Sequence, residues 1–329
     1  MTDRLTVGIA GATGYSGQEL VRLLARHPRV GRLIAMSGRS QAGRRALASL
    51  TGLWDGHVEP FDADRLAEAD VVFLALPEDA SAGIAPPLLA RGRRVFDLSG
   101  AFRLRDAERR ARWYPAVVEL PEATTYGMTE RSRAELPAAR LVACAGCYPT
   151  AAVLALGPLV SAGLVSGDIV IDAKSGVSGA GRTPTERTHF SEAHGSLSAY
   201  GVFAHRHAAE IEQELGVAVT FVPHLVPLDR GLLETIYVRV PAGTPASAIE
   251  ACYREAYAGS PFVRLRAGEL PAIKQVAYTN FCDIGWRLDE ATARLVIVSV
   301  LDNLLKGAAS QAVQNFNVAL GHDEREGLL

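Results

Sequence analysis

Through the first half of the chain, short apolar runs alternate with stretches whose apolar residues recur at helical spacing. Leu5–Ala10 is the first run; beyond a turn, Leu20, Val21, Leu23 and Leu24 are apolar while Gln18, Glu19, Arg22 and Arg26 are polar, the pattern of a helix with one buried face. Residues 32–36 form a second run, and 70–77 a third, unbroken and closed by Pro77. An unbroken run of this kind reads as a strand buried on both faces, as in a parallel sheet. A helix is predicted over 80–91 and a strand over 94–99, so strand and helix alternate. A further strand ends at Cys144, and a helix begins at Cys147, with Pro149 and Thr150 in its first turn and the apolar run Ala151–Leu156 beyond. Proline is tolerated there because the N–H it lacks has no intrahelical partner in a first turn. After this helix the pattern changes. Strand runs at 169–173, 219–222, 233–240 and 295–300 are separated by helical stretches only at 207–215 and 246–257, which predicts a mostly antiparallel sheet with helices on one face. From Asn303 to Leu320, a stripe of Leu305, Ala309, Val313, Phe316 and Leu320 predicts a closing helix.

The chain of 329 residues is long enough for two domains with separate cores, and the change of pattern divides it into 1–146 and 147–302. Lys and Arg (34) nearly balance Asp and Glu (36), so neither a nucleic acid nor a membrane surface is indicated as a partner. No apolar run approaches the ~20 residues of a bilayer span. The first strand starts with no signal-peptide pattern ahead of it. Four cysteines in so long a chain do not form a disulfide framework. The expectation is a soluble cytoplasmic protein.

The turn after the first strand reads Gly11-Ala12-Thr13-Gly14-Tyr15-Ser16-Gly17. Glycines at this spacing let the backbone approach a pyrophosphate, and the following helix offers N–H donors and positive potential. The first domain is therefore expected to be a Rossmann-type parallel sheet that binds a dinucleotide. A site that prefers NAD carries a carboxylate at the end of the second strand. This chain has Ser37-Gly38-Arg39-Ser40 there, with Arg44 and Arg45 beyond; hydroxyls and guanidinium groups suit a 2′-phosphate, so NADP(H) is predicted. The alternative is an ordinary solvated basic loop. Ligands gather at the carboxyl ends of parallel strands, which places Leu76, Pro77 and Ser99 at the site. Arg103 follows on the loop after a strand end, as an anion-binding group or as the partner of a structural carboxylate.

Cys144 and Cys147 make a C-x-x-C pair. Zinc would need two further ligands at short spacing, and Cys252 and Cys282 stand isolated, so no metal is expected. A redox pair would leave the dinucleotide fold without a purpose. Cys144 reads as a core residue. Cys147, after a glycine and at a helix start, reads as a nucleophile whose thiolate the helix dipole stabilises, for covalent catalysis on an acyl carbon. His205-Arg206-His207 opens an amphipathic helix. Histidine titrates in the range an acid/base needs; His207 is favoured over His205, though the sequence does not separate them. Arg206 is either a contact for a substrate anion or a surface charge.

Taken together, Gly11–Gly17, Gly146–Ala151 (GCYPTA), Ser175–Arg182 (SGVSGAGR), Gly201–His207 (GVFAHRH), Phe221–Pro227 (FVPHLVP) with Arg230-Gly231, and Gln311–Asn317 (QAVQNFN) resemble the N-acetyl-γ-glutamyl-phosphate reductase family, which is related to aspartate-semialdehyde dehydrogenase. The resemblance spans nearly the whole chain and departs from the family pattern at Ala145 and Asp229, among others. It implies NADPH-dependent reduction of N-acetyl-γ-glutamyl phosphate to the semialdehyde, with release of phosphate, through a Cys147 thioester in arginine biosynthesis. It also implies that the closing segment 303–329 returns to the nucleotide domain with Asn315 near the nicotinamide, and that Ser178 and Gly179 join the cofactor site. Arg103, Arg182 and Arg230 become candidate clamps for the substrate anions. The second domain would be an α+β catalytic and dimerisation domain of a homo-oligomer. Two other readings remain at this point: the same chemistry on a carrier-protein-linked glutamyl or aminoadipyl phosphate, and a non-catalytic NADP(H) sensor.

Overall fold

The computed structural model describes residues 4–38 and 43–329, so Arg39 and Ser40 of the predicted cofactor site lie outside the described residues. The chain divides into two compact units, Met1–Ala145 with Ala308–Leu329, and Gly146–Gly307. Among the described residues no helix is long and apolar enough to cross a membrane, and none of the four cysteines is in a disulfide.

The first unit is a six-stranded sheet of β1 (Leu5–Ala10), β2 (Val30–Met36), β3 (Val71–Leu74), β4 (Arg94–Asp97), β5 (Thr124–Gly127) and β6 (Leu141–Cys144). Their order is β2-β1-β3-β4-β6-β5 and every pairing is parallel. Parallel strands joined by crossovers need cover on both faces. On one face Leu74, Val72 and Val95 join Leu88 and Leu89 of α2 (Glu78–Ala90) in a buried cluster. On the other, Phe73 and Phe96 stack at 5.1 Å, and Phe316 closes on them at 5.8 and 6.0 Å. Phe316 belongs to α6 (Ser310–Ala319), so the last helix of the chain seals the sheet laid down first. Each fully buried phenylalanine contributes about 1.5–3 kcal/mol. The tail beyond is tied back by Arg29–Glu326 and Arg133–Glu324 ion pairs.

The second unit is a seven-stranded sheet of β7 (Ile169–Gly176), β8 (Ser198–Ala199), β9 (Val219–Val226), β10 (Leu232–Arg239), β11 (Val263–Leu265), β12 (Cys282–Asp289) and β13 (Arg294–Leu301), in the order β8-β9-β7-β10-β13-β12-β11. Four of the six pairings are antiparallel. Its inner face carries α3 (Cys147–Ser161), flanked by α4 (Arg206–Leu215) and α5 (Ala246–Tyr257). Helix α3 is apolar around its circumference and buried almost throughout, as a central helix must be. Pro158 within it has no N–H for the Leu154 carbonyl four residues back. The Tyr257 hydroxyl donates to that carbonyl instead, and Tyr253 donates to the neighbouring Ala155 carbonyl at 2.6 Å.

Three features depart from the sequence pattern. The strand β12 is masked by Gly285, where a Cβ would lie 2.2 Å from the Glu269 carbonyl oxygen, and by Asp283. The strand β5 is short and half polar. The closing helix begins as a π-turn at Leu305–Ala309 before α6 takes over; such turns recur at functional sites.

Candidate active site

In the first unit, β1 ends in the glycine turn and α1 (Tyr15–Leu24) starts beyond it with no acidic residue in its first turn. Gly11 has φ +88°, and a Cβ on it would lie 2.1 Å from the Ala75 carbonyl oxygen. A Cβ on Gly17 would lie 2.1 Å from the Gly11 carbonyl oxygen, and one on Gly38 2.7 Å from Leu76 Cδ2. Only glycine permits these approaches, which bring the start of α1 against the end of β1; Thr13, Gly14, Tyr15 and Ser16 lie between. This is a cradle that fits a dinucleotide phosphate. Ser37 is buried at the end of β2, and its N–H donates to the Glu59 carbonyl at 2.9 Å. Glu59 is a carboxylate that sequence spacing missed; Arg44 and Arg65 hold it at 3.3 and 3.4 Å. Leu76 is buried and Pro77 caps α2.

The remaining residues of this unit serve a buried network. Ser99 Oγ donates to Asp97 at 2.6 Å, and burial pushes the Asp97 carboxyl up. Arg103 is buried and donates to the carbonyls of Cys144 and Leu98, each at 2.8 Å. The side chain thus staples two strand ends. Asn315, fully buried, donates to the Gly127 carbonyl at 3.0 Å and accepts from Thr129 at 2.7 Å. Cys144 is buried, and desolvation pushes its thiol up to about 12, which makes it inert at neutral pH.

In the second unit, Cys147 is the first residue of α3, capped by Gly146, with no acidic side chain in the first turn. The helix start therefore presents its positive end at the sulfur. A Cβ on Gly307 would lie 2.7 Å from Cys147 Cβ, so only glycine lets the segment after β13 pass. Glu210, wholly buried on α4, reaches this point: it accepts from the Gly146 N–H at 3.4 Å, and its other oxygen lies 3.8 Å from His207 Nε2. The sequence reading missed it, although His207 and Glu210 stand three apart on one helix face. The two histidines differ in surroundings. His205 caps α4, its Nδ1 accepting from the His207 N–H at 3.1 Å, which leaves its proton on Nε2. Burial, with the Arg206 charge beside it, pushes His205 down to about 4. Tyr148 packs edge-on against the rings of His205, His207 and Phe221, and its hydroxyl donates to the His224 carbonyl.

The ends of β7, β9 and β13 and the start of β10 meet at one edge of the sheet, as the pairings Val226–Gly176, Leu232–Ser175 and Leu232–Leu301 show. There Asn303 bonds both the Gly231 N–H (2.7 Å) and Ser178 Oγ (2.9 Å), and a Cβ on Gly179 would lie 2.9 Å from Ser175 Oγ. Arg230 sits in the same cluster, 3.5 Å from the buried Asp302. Arg182 and Arg206 are exposed. A cavity of about 390 Å³ is lined by Val177, Glu186, Arg187, Glu192, Ser196 and Val226, among others. Two carboxylates against one guanidinium make it a poor receptacle for a dianion, and Cys147 does not line it.

Residues 6–139 match the profile of the semialdehyde dehydrogenase NAD binding domain, and residues 147–303 that of the semialdehyde dehydrogenase dimerisation domain. The chain is 46% identical to the N-acetyl-gamma-glutamyl-phosphate reductase of Shouchella clausii (strain KSM-K16) and 47% identical to that of Geobacillus stearothermophilus, over 98% of this chain and 98% of each relative. Among solved structures, aspartate semialdehyde dehydrogenase II from Vibrio cholerae superposes with a TM-score of 0.76 at 18% identity, over 97% of this chain and 99% of that one.

Proposed function

The chain belongs to the semialdehyde dehydrogenase family, among its N-acetyl-γ-glutamyl-phosphate reductases, and from that premise we propose that it reduces N-acetyl-γ-glutamyl phosphate to N-acetylglutamate semialdehyde with release of phosphate. The observation that carries the reading is Cys147 at the head of a buried helix, with Glu210 joining the N–H before it to His207.

His207 takes the thiol proton, and the Cys147 thiolate attacks the acyl carbon of the mixed anhydride. The C–O bond to phosphate breaks and a thioester remains on Cys147, so that one difficult reduction becomes two easier steps. The bound nicotinamide cofactor supplies a hydride. The resulting thiohemiacetal oxyanion faces the N–H groups at the start of α3; its C–S bond then breaks, giving the aldehyde and the thiolate. Glu210 orients His207 and holds the backbone before the nucleophile. His205, neutral and engaged by the His207 N–H, caps the helix and keeps that backbone in register. Arg182, Arg206 and Arg230 bind the substrate anions, while Arg103 shapes the loop that it staples.

The cofactor is NADP(H). Gly11, Thr13, Gly14, Tyr15, Ser16 and Gly17 would cradle its pyrophosphate, with Ser37, Leu76 and Pro77 beside it. The ion pairs from Arg44 and Arg65 to Glu59 support a 2′-phosphate, because they offset the carboxylate charge that would repel it. The chain works as a homo-oligomer, joined through the outer face of the second unit's sheet, where Val170 and Tyr237 are cross-strand neighbours and both exposed. The test is phosphate-dependent NADP⁺ reduction with N-acetylglutamate semialdehyde. Cys147→Ser is expected to lower kcat by at least about a thousandfold while NADPH still binds; near-normal turnover by that variant would exclude covalent catalysis.

A further inference from the structure

Tyr278 carries a conformation its side chain does not favour. Its φ is +63°, in the left-handed region where a bulky residue is an outlier, and the ring stands 66% exposed. Glycine would adopt this backbone at no steric cost, so holding tyrosine here asks for a reason in the side chain. Three contacts determine where the ring goes. The Tyr278 N–H donates to Asp302 Oδ2 at 2.7 Å, the hydroxyl donates to Asp229 Oδ2 at 2.9 Å, and the ring lies 4.8 Å from the Arg230 guanidinium carbon. Asp302 Oδ2 is also 3.5 Å from Arg230 Nη1. The guanidinium is therefore bounded by an aromatic face and a buried carboxylate, both tied to one residue. The hydrogen bond to Asp229, with the charge of that carboxylate, raises the Tyr278 phenol, so it remains a donor.

This cluster is one turn of chain from the nucleophile. The Gly307 N–H donates to the Asp302 carbonyl at 2.9 Å, and Gly307 is the residue that passes against Cys147. We infer that Tyr278, latched by Asp229, is a positioning residue that fixes the plane of the Arg230 guanidinium for the planar carboxylate of the substrate. The inference rests on the proposed reductase reading and deepens it by dividing the anions. Arg230 already has Asp302 as a counter-charge, which suits a monoanion met edge-on in two parallel hydrogen bonds. The dianionic phosphate is left to the exposed Arg182 and Arg206. Asp229, the departure noted in the sequence, becomes the latch.

The experiment follows NADP⁺ reduction in the full-length protein with N-acetylglutamate semialdehyde and phosphate, separating the two KM values from kcat, and records melting temperature. Tyr278→Phe and Asp229→Asn are each expected to raise KM for the semialdehyde by about three- to tenfold, leaving KM for phosphate and kcat within about twofold. The double variant is expected to lose no more than either single one, since both break the same bond. Tyr278→Gly is expected to melt no lower than the parent, yet to raise KM for the semialdehyde at least about tenfold. Arg230→Ala is expected to exceed all of these. Unchanged KM for the semialdehyde in the Tyr278 variants, or a rise in KM for phosphate instead, overturns the inference and leaves the reductase reading standing. Absence of turnover in the unaltered protein removes the reading itself.

Discussion

His205 and His207 are two residues apart, yet their surroundings divide the work between them. The Nδ1 of His205 is committed to the backbone at the start of α4, and burial with the Arg206 charge holds its imidazole at about 4. A histidine whose pKa is lower in the folded chain than in the unfolded one gives stability that is fully present above the unfolded value. That stability is lost as pH falls through the folded value, because the unfolded chain takes the proton first. The window here runs from the ordinary 6.5 down to about 4, and the loss across it is about 3 kcal/mol. Replacing His205 with Asn, which keeps a capping acceptor, is expected to flatten urea-unfolding stability over that window by about this amount. A variant whose stability tracks the parent through the window would show that the imidazole is not buried neutral.

At the scale of elements, the nucleotide cradle is a strand, a turn and a helix brought closer than side chains allow. Gly17 lies on α1, where its helical backbone suits any residue, so the constraint there is contact and not conformation. A Cβ 2.1 Å from the Gly11 carbonyl oxygen has nowhere to go, because backbone and not a flexible side chain stands in the way. Gly17→Ala is expected to destabilise the chain by about 1–3 kcal/mol through this overpacking. It should also weaken NADPH binding, read by nicotinamide fluorescence, at least about tenfold. The same reasoning links α3 to the segment after β13, where Gly307 passes over Cys147.

For the whole molecule, the sheet of the second unit has one face under α3, α4 and α5 and a second face on which alternate residues are half-exposed or exposed. Across that face Thr220, Val170, Tyr237 and Val296 stand side by side in register. An apolar row of this kind on a seven-stranded sheet suits burial against another copy. Introducing Glu at both Val170 and Tyr237 is expected to convert the oligomer to monomer in sedimentation velocity, with melting temperature lowered where the contact is lost. An unaltered sedimentation coefficient in the double variant would place the contact elsewhere.

What the sequence determined by itself was local: the period of each element, the glycine turn, the start of α3 at Cys147 and the capped start of α4. These follow from sterics and hydrogen bonds within a few residues, which a linear pattern records. What only the tertiary structure decided was which distant groups meet. Glu59 arrives beside the end of β2 with two arginines. Glu210 reaches back to Gly146, Asp302 gathers Arg230 and Tyr278, and Arg103 turns to backbone carbonyls. Strand β12 stayed hidden because Gly285 is demanded by the approach of Glu269, a neighbour sixteen residues away that no local period can reveal.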